Sequence, residues 1–99
     1  MTDPVLYMDT DAVQTIANGF AVVATALRAL SKAMQQIIEF LRSSAIVGLI
    51  GHVALETFLA NLKPKIDDMA EFCEEISHDL EEAIQLYMNA DEQGASRFY

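Results

Sequence analysis

The sequence of 99 residues has no tryptophan and few of the residues that interrupt helices or cross-link chains. Its single cysteine, Cys73, cannot form an internal disulfide, so nothing requires an oxidising compartment, and we expect a small buried hydrophobe there. Only two prolines and four glycines occur, while 53% of the residues are hydrophobic. This composition excludes a disordered chain and favours helices.

Basic residues are also scarce. Six Lys and Arg stand against fifteen Asp and Glu, which gives a formal net charge of −9. Without a basic patch, the chain is not expected to bind nucleic acid or an anionic membrane surface. A basic or neutral partner suits it better.

Long uncharged segments are limited too. The longest runs from Ala12 to Leu27, which is shorter than the roughly 18–20 residues of a membrane-spanning helix. Asp3, Asp9 and Asp11 stand where a signal peptide carries basic residues. We therefore expect no direct membrane insertion, and any secretion to proceed without a cleaved signal peptide.

What the sequence does contain is a heptad pattern. Apolar residues alternate at spacings of three and four, which predicts helix 1 from about 10 to about 43, with Asp9 as its N-cap. Small residues such as Ala17, Ala24 and Ser31 are expected to flank the contact, and Gly19 to permit close approach of a neighbouring helix. The predicted contact residues are Val13, Ile16, Phe20, Val23, Leu27, Leu30, Met34, Ile37 and Leu41.

The same spacing of apolar residues resumes after an apolar, glycine-bearing turn at 44–51 and predicts helix 2 from about 52 to about 90. Pro64 lies opposite the predicted contact, so we expect it to bend the helix without ending it. Residues 91–99 are expected to form a flexible tail of this single domain, 1–99. The predicted contact residues are Leu55, Leu59, Leu62, Ile66, Met69, Cys73, Ile76, Leu80, Ala83 and Tyr87.

The predicted fold is all-α, an antiparallel two-helix hairpin. Two helices in contact along one line cannot cover all the apolar residues, so a second hairpin is expected to complete a four-helix bundle as a dimer. Whether the partner is an identical or a different chain stays open. The residues assigned to the dimer interface are Phe20, Leu27, Phe58, Phe72 and Ile84.

The residues that could support catalysis or bind a metal are better interpreted as structural residues without a catalytic or metal-binding role. The acidic run from Asp67 to Glu82 is interpreted as a solvated helix face. Glu75 and His78 have the spacing of a di-iron motif, but His78 points away from the predicted contact and helix 1 offers only Glu39. We therefore predict no catalytic residues, metal or cofactor, and no enzymatic activity.

Near the end of helix 2, Tyr87 and Asp91 are four residues apart and share one helical face. A hairpin of about one hundred residues, a glycine-bearing turn at its middle and Tyr-x-x-x-Asp at this place together resemble the WXG family, small helical hairpins exported by type VII secretion. This sequence lacks the family's Trp. Ile46, Val47 and Gly48 give the best match to Trp-x-Gly, and a match at Leu49-Ile50-Gly51 stays open.

The resemblance implies that Tyr87 and Asp91 belong to a C-terminal export signal. It further implies that an ATPase of the FtsK/SpoIIIE type reads this signal together with the partner's turn. The protein would be made in the cytoplasm and secreted as a substrate or co-secreted partner. The alternative is a cytosolic helical adaptor that chaperones a larger secreted effector.

Overall fold

The structure, a computed structural model, describes the backbone of residues 7–43 and 50–98. It contains two α-helices, α1 (Thr10–Ser43) and α2 (Ile50–Phe98), and no strand within these ranges. The helices lie antiparallel, since the start of α1 contacts the C-terminal half of α2 and Arg42 contacts Glu56. The molecule measures 77 × 22 × 17 Å. The predicted all-helical hairpin is therefore confirmed.

Helix α1 begins with the predicted cap. The Asp9 carboxylate accepts a hydrogen bond of 3.1 Å from the Ala12 amide, and the Asp9 carbonyl accepts one of 3.0 Å from the Val13 amide. The carboxylate thus satisfies a first-turn N–H group that has no partner within the helix, and Asp11 adds negative charge near the positive end of the dipole.

Helix α2 continues through Pro64, as predicted, but it does not end near residue 90. It extends to Phe98, whereas the sequence pattern predicts a flexible tail over 91–99. The physical reason lies in the composition of 91–98, which includes Ala, Glu, Gln and Arg and contains no proline. One glycine at position 94 costs about 1 kcal/mol and is not enough to end the helix.

The two helices contact each other through a different face of α1 from the one that the heptad pattern predicts. The residues that α1 buries against α2 are the small ones, Ala17, Ala24 and Ser31, together with Met34 and Ile38. Helix α2 buries Ala70, Ser77 and Ile84. We call Ala17, Ala24, Ser31 and Ile38 of α1, and Ala70, Ser77 and Ile84 of α2, the inner rows; each has a period of seven residues.

The predicted contact residues of α1 were therefore wrong in part. Ile16, Val23, Leu30 and Ile37, which the heptad pattern places in the contact, are 45–53% exposed. Five of the seven inner-row residues are Ala or Ser, whose short side chains let the two helices approach closely, whereas rows made entirely of Ile and Leu would hold them further apart. Gly19 has no part in this approach, since a Cβ built there would meet no atom within 4 Å among the described residues. Cys73 is half-buried, not buried.

Helix α1 is also more apolar than the sequence analysis allowed. By length and composition it is able to cross a membrane, with a mean hydropathy of 1.3 over an 18-residue window. The uncharged segment Ala12–Leu27 is shorter than this window, so the sequence criterion did not single out the helix. Helices that pack inside proteins pass the same test, and the apolar residues of α1 lie both on its inner row and on the exposed flank beside it.

Candidate functional site

One side of the hairpin is polar and joins the two helices by charged contacts. Arg28 of α1 and Glu74 of α2 form an ion pair of 2.7 Å, and Arg42 pairs with Glu56 at 2.6 Å. Between them, the hydroxyl of Ser31 donates a hydrogen bond to the Asp67 carboxylate, which also pairs with Lys63 at 2.9 Å. These contacts fix the register of one helix against the other.

The charged contacts change the acidity of their members. The Ser31 hydrogen bond, followed by that of Lys63, lowers the pKa of Asp67 below its ordinary value. The hydrogen bond from Arg28 lowers the pKa of Glu74, and the same bond raises the pKa of Arg28. Each shift favours the charged form, because each carboxylate accepts hydrogen bonds as an anion.

The opposite side of the hairpin is apolar. In α1, the residue that precedes each member of the inner row is Ile16, Val23, Leu30 or Ile37, while the residue that follows is polar. In α2, the preceding residues are Met69, Ile76 and Ala83, while the following ones are Glu71, His78 and Gln85. Because the helices are antiparallel, the preceding residues of both helices lie on the same side of the hairpin. We call these seven residues the apolar face.

The residues that the sequence assigned to a dimer interface divide into three groups. Phe58 and Phe72 of α2 are 60% and 62% exposed. Phe20 and Leu27 of α1 are half-buried, next to the apolar face. Ile84 is 6% exposed because it belongs to the inner row, so we no longer assign it to a partner surface.

The C-terminal part of α2 projects beyond α1. The Ser77–Ala17 contact places Thr10, the first residue of α1, level with Ile84, and the Ser31–Asp67 contact places it level with Met88. We call residues 85–98 of α2 the overhang; at least the last ten of them, on the order of 15 Å of helix, lie past the start of α1.

Both residues of the predicted export signal lie on the overhang. Tyr87 is half-buried, and Asp91 follows one turn later in the same helix. The sequence pattern places them at the end of helix 2, whereas the helix continues for seven more residues after Asp91. The turn motif Ile46, Val47 and Gly48 lies outside the described residues.

The acidic run forms a solvated face, as expected. Glu71, Glu74, Glu75, Asp79, Glu81 and Glu82 are all exposed, and Asp68 is exposed beside them. The imidazole Nε2 of His78 lies 3.8 Å from Glu82 Oε2 on the surface. Among the described residues, no group of three His, Cys, Asp or Glu side chains is placed to hold a metal ion.

Sequence reasoning missed the polar members of the helix contact. Ser31 and Ser77 are 4% and 7% exposed, and both hydroxyls donate hydrogen bonds across the contact, Ser31 to Asp67 and Ser77 to the Ala17 carbonyl. A signal for them was present, since each serine replaces alanine in a row with a period of seven. Small residues that recur every seven positions can mark a close contact between two helices, and not only the positions beside such a contact.

These features define the class of the protein, an acidic helical hairpin with one polar side and one apolar face. The family model of the excreted virulence factor EspC, of the type VII ESX systems of diderms, matches residues 1–98. The chain belongs to this family, which confirms the prediction of a small helical protein of type VII secretion. Neither a curated protein nor a solved structure was found to match the chain.

Proposed function

We propose that the protein is a non-enzymatic substrate or co-secreted partner of type VII secretion, and that Tyr87 and Asp91 are the export signal. The observation that carries the proposal is the match of residues 1–98 to a family of excreted type VII proteins in a chain with Tyr-x-x-x-Asp on the overhang. An ATPase of the FtsK/SpoIIIE type is the proposed reader of this signal.

The position of the signal supports recognition by a separate protein. The last member of the inner row in α2 is Ile84, three residues before Tyr87. Because α1 begins between the levels of Ile84 and Met88, it reaches at most the first residues of the overhang and does not run alongside Asp91. A reader can therefore contact this part of α2 while the hairpin stays folded.

Substitution of the two signal residues tests the proposal. Tyr87→Ala and Asp91→Ala should each abolish appearance of the protein in the culture medium, with unchanged amounts inside the cells. Met88→Ala is the matched control, because Met88 is 47% exposed on the overhang and is not part of the signal. Circular dichroism should show the same helix content in all three variants. Unchanged export of Tyr87→Ala and Asp91→Ala would refute the signal assignment.

The second candidate is a cytosolic adaptor that binds a larger effector through the apolar face. The four half-exposed residues of α1 on that face favour it. Removal of residues 85–99 separates the two functions. A secreted substrate loses export, whereas an adaptor keeps effector binding, since the inner rows and the apolar face all precede residue 85.

A further inference from the structure

We propose that Val13 of α1 holds the ring of Tyr87 in place, so that the export signal depends on a contact with the other helix of the hairpin. This inference rests on the proposed function, in which a reader recognises Tyr87, and it adds a positioning residue to the signal. The observation that carries it is a half-buried row on each helix. Val13 and Tyr87 are the members of these rows at the same end of the hairpin.

Each helix has a second row of apolar residues beside its inner row. The members recur every seven residues, and each stands three residues after, or four before, an inner-row position of the heptad. We call these the flanking rows. Met34 is buried, and all other members are half-buried. The flanking row of α1 consists of Val13, Phe20, Leu27, Met34 and Leu41, and that of α2 of Leu59, Ile66, Cys73, Leu80 and Tyr87.

The two flanking rows lie on the same side of the helix contact. The ion pair Arg28–Glu74 shows how the sides match, because each of its members stands four residues after an alanine of the inner rows. Equal offsets in the two antiparallel helices therefore meet on one side. Residues at the offset of three meet on the opposite side, which is the side of the flanking rows.

Val13 and Tyr87 also lie near the same level of the hairpin. The two serine hydrogen bonds between the helices place the backbone of Val13 between the levels of Glu81 and Gln85. A helical side chain leans toward the N-terminus of its own helix, so the ring of Tyr87 extends back over the turn that contains Ala83. The side chain of Val13 leans the opposite way, because its helix is antiparallel to α2. The two side chains therefore converge.

The burial of Tyr87 supports this contact. Its neighbours in the chain, Leu86 and Met88, are 62% and 47% exposed, whereas Tyr87 is half-buried. All three residues stand above a preceding turn of α2, so α2 alone does not explain the difference. Within the described part of the chain, α1 is the other helix, and its first turns are the part nearest to Tyr87. The start of α1 thus covers one side of the ring and leaves the other side open.

The start of α1 is itself well fixed at Val13. The Val13 amide donates a hydrogen bond of 3.0 Å to the Asp9 carbonyl, and the Asp9 carboxylate accepts one from the Ala12 amide. Met8 and Val13 stand at the two positions of a hydrophobic staple on either side of this cap, and both are half-buried. The side chain that meets Tyr87 therefore belongs to an ordered turn and not to a fraying helix end.

A fixed ring favours recognition. A reader that binds a mobile side chain has to immobilise it, which weakens binding, whereas a side chain already held in one rotamer avoids this loss. Val13 thus acts through Tyr87, and the open side of the ring is left for the reader. The signal is presented best by a folded hairpin, because α1 supplies the support for its tyrosine.

NMR spectroscopy of the purified chain tests the contact. The ring protons of Tyr87 should show nuclear Overhauser effects to the Val13 methyl groups, and the Hα–Hβ couplings of Tyr87 should indicate one χ1 rotamer. Val13→Ala should give couplings averaged over several rotamers, and Val13→Ile should restore the single rotamer. Leu41→Ala is the matched control, because it shortens the same flanking row at the other end of α1 and should leave Tyr87 unchanged.

Export of the same variants tests the positioning role. Val13→Ala should lower the amount of protein in the culture medium several-fold, with unchanged amounts inside the cells, and Val13→Ile should restore it. Leu41→Ala removes a larger half-buried side chain and should destabilise the hairpin at least as much in urea denaturation. It should nevertheless be exported like the original chain, since it does not contact the signal.

The outcomes separate this proposal from the proposed function. Absence of the Overhauser effects would overturn the contact, and full export of Val13→Ala would overturn the positioning role. Equal loss of export in Val13→Ala and Leu41→Ala would do the same, because loss of stability would then explain both. Normal export of Tyr87→Ala would refute the signal, while the spectra would still show whether Val13 holds the ring. A block by Tyr87→Ala but not by Val13→Ala would keep the signal and remove Val13 from it.

Discussion

The Ser77 hydroxyl of α2 donates a hydrogen bond of 2.8 Å to the backbone carbonyl oxygen of Ala17 in α1. A side chain as short as serine reaches the backbone of a neighbouring helix only where the two helices are very close. Ala17 itself is fully buried at this point. Small residues therefore bring the two helices close together over most of the contact, and Ile16, Val23, Leu30 and Ile37 lie beside it.

We expect a larger side chain on the inner row to destabilise the hairpin. Ala24→Leu inserts three additional carbon atoms where Ala24 is 2% exposed, and should lower the free energy of unfolding by about 1–3 kcal/mol. Ala29→Leu is the matched control, because Ala29 is exposed in the same helix and should change stability by less than about 0.5 kcal/mol. Urea denaturation measures both. Equal stability of the two variants would contradict the observed inner row.

Loss of the Ser77 hydroxyl should have a smaller effect. Ser77→Ala keeps the close approach of the helices but removes the bond to the Ala17 carbonyl, so stability should fall by about 0.5–1.5 kcal/mol. Ser77→Val should cost more, because it adds volume and still removes the donor. The order of the three midpoints of thermal unfolding, serine highest and valine lowest, is the measured outcome. A valine variant more stable than the alanine variant would mean that the contact has room to spare.

The helices and their hairpin could be predicted because hydrophobic periodicity and caps act locally. The rotation of the contact could not, since α1 is apolar over neighbouring rows. Val23 and Ala24 were both candidates for burial, and larger side chains are ordinarily the buried ones. The choice depends on how closely α2 approaches, which is a property of both helices together.

The residues of the proposed export signal could be located from the sequence, whereas the end of their helix could not. Tyr87 and Asp91 were identified from their spacing and from their position near the end of the predicted helix 2, and both can be read from the local sequence. The continuation of α2 to Phe98 was missed because the polar residues after Asp91 were interpreted as fraying. In a helix that projects beyond its neighbour, polar residues all round need not interrupt the backbone hydrogen bonds, so they do not mark the end of the helix.

Gly19 offers a test of the packing within the hairpin itself. No described atom lies within 4 Å of the Cβ that an alanine would add, so the substitution causes no clash inside the chain. At dilutions where the chain is monomeric, Gly19→Ala should raise the free energy of unfolding by about 1 kcal/mol, the difference in helix propensity. Asn18→Ala in the same exposed turn controls for general effects of composition. A loss of stability at high dilution would show that Gly19 is packed within the hairpin after all.

The Asp67 contacts predict a dependence of stability on pH. Folding lowers the pKa of Asp67, chiefly through Ser31 and then through Lys63, so the unfolded chain binds its proton more tightly than the folded one. Asp67 therefore stabilises the hairpin at pH values above the ordinary pKa of an aspartate in the unfolded chain, and this contribution is lost as the pH falls through the lower pKa of the folded state.

The comparison needs a variant, because acidification also relieves repulsion among fifteen carboxylates and so acts on stability in the opposite direction. At pH 7 the original chain should be more stable than Asp67→Asn, and the difference should shrink steadily below about pH 4. Asp68→Asn, which changes the same charge on the exposed side of α2, should show no such change of difference. A gap between the original chain and Asp67→Asn that stays constant from neutral to acidic pH would mean that the Ser31–Asp67–Lys63 contact does not hold the two helices together.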